Sequence, residues 1–192
     1  LSGYPDRKCK VYLLHGEMSD AEIHSLYVHP KIKCMISTTH GEGFGLPLFE
    51  AAYSALPVVA PGWSGQCDFL YAPYQGTDAK KKKSKVKQPY FSEVDYTLGP
   101  IPEYAVWEGV LQKDSMWCYP QEGSFKMKLR RIRKNYKKWE KRATTLQKWI
   151  LENFEEELIY KKFIDNIVDK EEKKSDVDAW LRELDLDIVE SS

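Results

Sequence analysis

Cys34-Met35-Ile36-Ser37-Thr38-Thr39-His40-Gly41-Glu42-Gly43-Phe44-Gly45-Leu46-Pro47-Leu48-Phe49-Glu50-Ala51-Ala52-Tyr53-Ser54-Ala55 is the stretch that decides the fold. Its apolar start reads as a buried strand, and its small-residue end, from Phe49 to Ala55, reads as a helix. Between them lies a glycine loop. A strand, a glycine loop and a helix N-terminus expose backbone N–H groups that no intrahelical carbonyl satisfies, at the positive end of a helix dipole. Such a turn holds phosphate. Gly43 and Gly45 permit close backbone approach or positive φ. Pro47 suits the first helical turn, where its missing N–H costs nothing. Glu42 stands at the loop entrance and Glu50 about one turn inside the helix. N–H groups serve a diphosphate and carboxylates serve hydroxyls, which is what a nucleotide sugar needs.

The flanking sequence extends this unit. Upstream, Val11-Tyr12-Leu13-Leu14 reads as a short strand and His15-Gly16-Glu17-Met18 as the loop after it. Ser19 with Glu22 makes a capping box for a helix to about Val28, with Ile23, Leu26 and Tyr27 on one face, and Pro30 ends it. The strand before the glycine loop is placed at Ile32 to Ser37, and the helix after it at 47–55. Pro57 to Ala60 reads as a third strand. Alternating strands and helices imply an α/β fold with a Rossmann-like parallel sheet and flanking helices. Ligands of such sheets sit at the carboxyl ends of strands. His15, Gly41 to Gly45 and Gly62 to Gly65 all follow strands in this reading and are expected on one rim. Trp63, in the glycine-flanked loop, either lines that rim or packs beneath it. Gln66 to Leu70 starts another helix.

Beyond Tyr71 the pattern is irregular. Residues 80–87 carry six lysines in eight positions, a run that repels itself and reads as a solvated loop, or else as a contact to a polyanion. Phe91 to Tyr96 alternates as a strand does, Pro100 and Pro102 mark a turn, and Glu103 to Leu111 reads as a short strand or helix. From Glu122 onward the chain is expected to be helical. Phe125, Leu129 and Ile132 form one face, and lysines and arginines from Lys126 to Lys138 cover the rest. A basic helix of this kind is either a solvated face or a surface for a membrane or nucleic acid. Further apolar stripes run through Trp139, Leu146, Trp149 and Ile150, and through Phe154, Leu158, Tyr160, Phe163, Ile164 and Ile167. The expected organisation is 1–120, with a lysine-rich insertion near 80–87, then C-terminal helices over 121–174, then an acidic tail over 175–192.

The chain has 192 residues and a formal net charge of zero. That balance hides an asymmetry. From Glu152 to the end there are 14 acidic and 6 basic residues, so the body before it is basic. A basic body suits an anionic nucleotide or an anionic surface and does not by itself indicate nucleic acid. Cys9, Cys34, Cys67 and Cys118 are scattered without a Cys-x-x-Cys pair, which argues against a zinc ribbon and for thiols in a reducing compartment. The longest apolar candidate, 51–63, is broken by Pro57 and Pro61 and is too short to span a bilayer. These features predict a cytoplasmic protein, with peripheral contact to an anionic membrane left open. The four histidines show no metal-ligand spacing. Asp176-Val177-Asp178 and Asp185-Leu186-Asp187 lie in the acidic tail, far from any strand end, and read as helix surface.

Thr39 to Ala51, then Leu56-Pro57-Val58-Val59-Ala60, then Trp63-Ser64-Gly65, resembles the donor-site signature of the group 1 (family 4) retaining glycosyltransferases of GT-B fold. The Glu-x7-Glu spacing matches without a gap. More loosely, Ser19 to Tyr27 is similar to the helix before the family's donor strand, and Trp117 to Pro120 with Asn153 to Glu157 is similar to its closing helices. The resemblance implies transfer of a sugar from a nucleotide diphosphate to an acceptor hydroxyl with retention of configuration. It makes Glu42 the catalytic, sugar-side carboxylate and Glu50 the ribose-side one. Gly43, Phe44, Gly45 and Leu46 hold the diphosphate. His15 reaches the donor, and His40 lines the site beside Glu42. Asp68 is a weak match, better read as a first-turn acid. No metal or other cofactor is implied. The implied partners are the nucleotide-sugar donor, an acceptor glycan, lipid or protein, and an N-terminal GT-B domain with no counterpart here. The chain thus reads as the later part of a donor-binding domain and is expected to lack turnover alone. Two rivals remain: a GT-B phosphorylase or epimerase sharing the pocket, and a non-catalytic GT-B-like module whose basic segments bind a polyanion.

Overall fold

The computed structural model describes residues 8–74 and 86–167. Ser19 caps the first helix, α1 (Asp20–Tyr27), and the capping box forms in full: Ser19 Oγ accepts from the Glu22 N–H, and Glu22 Oε2 accepts from the Ser19 N–H at 2.8 Å. β1 (Met35–Ile36) follows, then α2 (Leu46–Tyr53) and β2 (Val58–Pro61). A four-residue helix, α3 (Cys67–Leu70), leads into β3 (Tyr71–Ala72), which pairs antiparallel with β4 (Gln88–Pro89). The strand expected over Phe91 to Tyr96 is β5 (Ser92–Val94), and a separate strand, β6 (Tyr96–Pro100), starts at its end and runs on to Pro100. β6 forms an antiparallel ribbon with β7 (Met116–Pro120), and Cys118 faces Leu98 at its centre. Between them, Glu103–Ala105 is a single 3-10 turn, and Trp107 bridges Leu111. Three helices end the described chain: α4 (Glu122–Lys134), α5 (Tyr136–Asn153) and α6 (Glu156–Ile167).

The central sheet is parallel, in the order β1-β2-β5. Met35 faces Val58, Val59 faces both Ile36 and Ser92, and Ala60 faces Glu93. β2 is buried along its whole length, as a strand covered on both faces must be. Its side chains divide with the period of two. Val58 and Ala60 join Leu48, Ala51 and Ala52 of α2, Phe69 and Leu70 of α3, and Leu146 and Ile150 of α5. Val59 joins Val94 and Ile132, with Phe125, Leu129 and Trp139 packed against them. The sheet is therefore sandwiched between α2 with α5 on one side and α4 on the other. This is the mixed α/β architecture with a parallel sheet that the sequence predicts.

The strand expected at Val11 to Leu14 does not form. These four residues are exposed, Leu13 to 88 %, and make no pairing. A strand exists only where another strand's edge accepts its N–H and C=O groups, and hydropathy does not report that partner. His15 accordingly lies in exposed coil, not on a strand end. The strand expected over Ile32 to Ser37 shortens to Met35–Ile36. Residues 75–85, with most of the lysine run, and the acidic tail with both Asp-x-Asp strings lie outside the described residues. Among the described residues no helix is long and apolar enough to cross a membrane, and no cluster of His, Cys, Asp and Glu has the geometry of a metal site.

Candidate functional site

The glycine loop leaves the carboxyl end of β1 and ends in Gly45, the N-cap of α2, at φ 87° and ψ 50°. That left-handed conformation strains any residue with a Cβ, so glycine is the natural occupant. The Gly45 carbonyl accepts the Leu48 and Phe49 N–H groups, both at 2.9 Å, and so starts the helix. No side chain caps α2, and the N–H groups of Phe44, Gly45 and Leu46 find no acceptor among the described residues. Pro47 occupies the first turn, as predicted. The Phe44 ring is fastened by Phe49 and Phe69, at centroid distances of 5.2 and 5.1 Å.

A second loop clamps the first. Ser64 Oγ donates to the Glu42 carbonyl at 2.6 Å and accepts from the Glu42 N–H at 3.1 Å. The Gly65 N–H donates to the same carbonyl at 3.0 Å. The two loops touch so closely that a Cβ on Gly65 would overlap the Gly43 carbonyl. Gly62 is confined by side chains instead of backbone, because a Cβ there would meet the Tyr71 hydroxyl and the Glu93 carboxylate. The 41–45 and 62–65 loops thus share one rim, as expected. Trp63 packs across this junction, 6.1 Å from the Tyr96 ring and beside Gly41. Beneath the loop, Gln66 is fully buried; its Nε2 donates to the Pro61 carbonyl at 3.2 Å and its Oε1 has no partner among the described residues.

The two carboxylates line separate hollows and do not share one. Glu42 lines a hollow of about 390 Å³ with Ser37, Thr38, Thr39, Pro47 and Leu48. Glu50 lines another, also of about 390 Å³, between α1 and α2, with Asp20, His24, Tyr27 and Leu46. The sequence spacing does not reveal this division, because it depends on where α1 packs. Glu50 Oε2 accepts from the Tyr27 hydroxyl at 3.0 Å. Burial, and then the neighbouring Glu50 carboxylate, push the Tyr27 phenol up to about 12. Tyr27 reads in the sequence as a core residue of α1; its role as the partner of Glu50 is a tertiary fact.

His40 is held differently from its expected position beside Glu42. Its ring stacks on Trp117 at 4.4 Å, with Tyr119 edge-on at 5.1 Å. Nδ1 lies 2.7 Å from the Cys118 carbonyl. A carbonyl only accepts, so Nδ1 carries the proton, and in the neutral ring Nε2 is left as an acceptor. The His40 carbonyl in turn accepts the Cys118 N–H at 3.1 Å. His40 therefore ties the loop to the β6–β7 ribbon. His15 lines neither of the two hollows that contain Glu42 and Glu50. Asp68 is exposed in the first turn of α3, as a structural acid is expected to be.

No family model, curated protein or solved structure matches this chain. The site has to be read from its own geometry.

Proposed function

We propose that this chain supplies the donor site of a retaining, GT-B-type glycosyltransferase. The observation that carries the reading is the tip of α2: three N–H groups without an acceptor among the described residues, at the positive end of a helix, with Glu42 and Glu50 each lining a hollow of its own. A nucleotide sugar fits such a ridge by straddling it. Its diphosphate sits on the N–H groups of Phe44, Gly45 and Leu46. Its ribose reaches into the hollow of Glu50, where Tyr27 occupies one carboxylate oxygen and leaves the other for hydroxyls. Its sugar lies on the side of Glu42. The resemblance in sequence assigns the same two roles to the same two residues.

The chemistry follows from charge. As the glycosidic bond breaks, negative charge accumulates on the leaving diphosphate. Fixed N–H donors and a helix dipole act most strongly where that charge develops, and they need no reorganisation when it does. Glu42 faces the sugar and serves its hydroxyls and the developing positive charge at the anomeric carbon. The acceptor comes from outside this chain.

The test is calorimetric titration of the chain with UDP, GDP and ADP. Binding of at least one at millimolar concentration or below is expected. Glu50→Ala weakens it about tenfold, the loss of one hydrogen bond to a charged group. Glu42→Ala leaves nucleotide diphosphate affinity intact and lowers turnover in a protein that also carries the acceptor domain. Absence of binding by all three nucleotides at millimolar concentration overturns the proposal.

A further inference from the structure

We propose that the elbow between α4 and α5 is a docking surface for an anionic phospholipid bilayer. Arg130, Arg131, Arg133 and Lys134 end α4, and Lys137, Lys138 and Lys141 open α5; all seven are exposed. Glu140 is the one acid in residues 130–141. Among the described residues none of the seven is in an ion pair, whereas Lys126 pairs with Glu122 and Lys128 with Asp95.

The fold needs little of this density of charge. The inward faces of the two helices are apolar: Phe125, Leu129 and Ile132 on α4, and Ala143, Leu146 and Ile150 on α5. Cations at the end of α4 suit its dipole, but Lys137 and Lys138 sit at the positive end of α5. No acid occupies that first turn, and Asn135 makes no side-chain cap. Arg130 with Lys134, and Lys137 with Lys141, are like charges four apart on a helix, which is also unfavourable. An uncompensated local cost of this kind marks a surface shaped by something other than folding.

A shallow apolar hollow opens at the edge of the packed face of α4, and Arg133 is the one of the seven cations that lines it. Leu129, Ile132, Tyr136 and Cys34 line it, and Lys33 and Arg133 flank it, around about 360 Å³. Cations beside an apolar recess match a phospholipid, whose anionic headgroup adjoins a glycerol and acyl body. The same surface is poorly suited to single-stranded nucleic acid, which stacks its bases on free aromatic faces. The Lys33 ammonium covers the Tyr136 ring at 4.9 Å, and the Arg142 guanidinium lies 5.5 Å from Trp139. Lys33 and Cys34 precede β1, whereas the glycine loop follows it, so docking here leaves the loop directed away from the bilayer. The inference stands independently of the donor-site reading.

The experiment is co-sedimentation of the full 192-residue chain with vesicles of phosphatidylcholine, alone or with about 30 mol% phosphatidylserine, at about 0.1 M salt. Binding to the anionic vesicles alone is expected, falling at least about tenfold at about 0.5 M salt, where screening shortens the reach of each charge. The triple variant Arg131→Glu, Lys134→Glu, Lys138→Glu abolishes it with an unchanged circular dichroism spectrum. Replacing Lys80, Lys81, Lys82 and Lys83 by serine preserves it. If the triple variant does not fold, Lys138→Glu alone reduces both the binding and its salt dependence. Equal binding to neutral vesicles, loss only in the serine variant, no effect of Lys138→Glu, or stronger binding to single-stranded RNA than to vesicles overturns the proposal.

Discussion

Three glycines in the two rim loops differ in what holds them, and their alanine variants separate accordingly. Gly65 has no room for a Cβ, since the Gly43 carbonyl already fills the space. Gly65→Ala forces the loops apart and costs about 1–3 kcal/mol, as overpacking does. Gly45 has room, with its nearest neighbours at 3.4–3.6 Å, but its φ of 87° is unfavourable for alanine. Gly45→Ala therefore costs about 1–2 kcal/mol of backbone strain. Gly43 has neither constraint, and Gly43→Ala stays within about 0.5 kcal/mol of the parent. Urea unfolding of the three variants gives this order; an equal loss at Gly43 and Gly65 contradicts the clamp. Tyr27 makes a separate prediction through pH. Its phenol titrates higher folded than unfolded, so its contribution is fully present below about pH 10 and is lost as pH rises toward about 12. Tyr27→Phe flattens that alkaline loss, measured by urea midpoints across the window. The sequence makes the two glutamates and the glycines visible because their spacing is local. It conceals Tyr27 as a partner of Glu50, Ser64 as a clamp and Gln66 as a buried amide, because each depends on a residue brought close only by folding.

Elements defined by their own residues were legible, and elements defined by a partner were not. α1 is the clearest case of the first kind, since Ser19 and Glu22 write its capping box three residues apart. It has no fully buried residue, and Tyr27 alone in its last turn packs against the larger cluster. Ser19→Ala costs that helix about 1 kcal/mol. Amide exchange within 20–27 therefore quickens, and because Tyr27 ties α1 to Glu50 and to the larger cluster the urea midpoint falls with it; an unchanged midpoint would show that α1 frays on its own. α2, α4 and α5 follow their apolar spacing for the same reason. Val11 to Leu14 has strand composition but no edge to pair with, and stays in coil. The β6–β7 ribbon is the converse: its two strands are joined by a long connection and matched through Cys118 and Leu98, a pairing that neither segment specifies alone. That ribbon is what captures His40, which sequence order places simply beside Glu42.

At the scale of the whole molecule, a sheet of three short strands supports helices on both faces, and the two apolar clusters share a single strand. Val58 and Ala60 of β2 belong to the larger cluster, and Val59 to the smaller. Ile150 anchors the larger from α5 and is completely buried; Ile132 anchors the smaller from α4 and is 2 % exposed. Truncating either to alanine removes buried methyl groups and leaves a cavity, for about 2–5 kcal/mol. If the faces were independent, Ile150→Ala would weaken amide protection on its own side and spare the other. They cannot be independent where one backbone carries both. β2 donates to and accepts from β1 and β5 through the same peptide groups that position Val58, Val59 and Ala60. Loss of packing on the α5 side must therefore loosen the ladder that holds Val59 against α4. Ile150→Ala is expected to lower hydrogen-exchange protection equally at Val59 and Ala60, and Ile132→Ala to do the same in reverse. The rim loops hang from the ends of β1 and β2, so under the proposed function both variants also reduce nucleotide affinity. Protection lost at Ala60 but kept at Val59 after Ile150→Ala would show two separable layers and remove the mechanical link between the helical faces and the glycine loop.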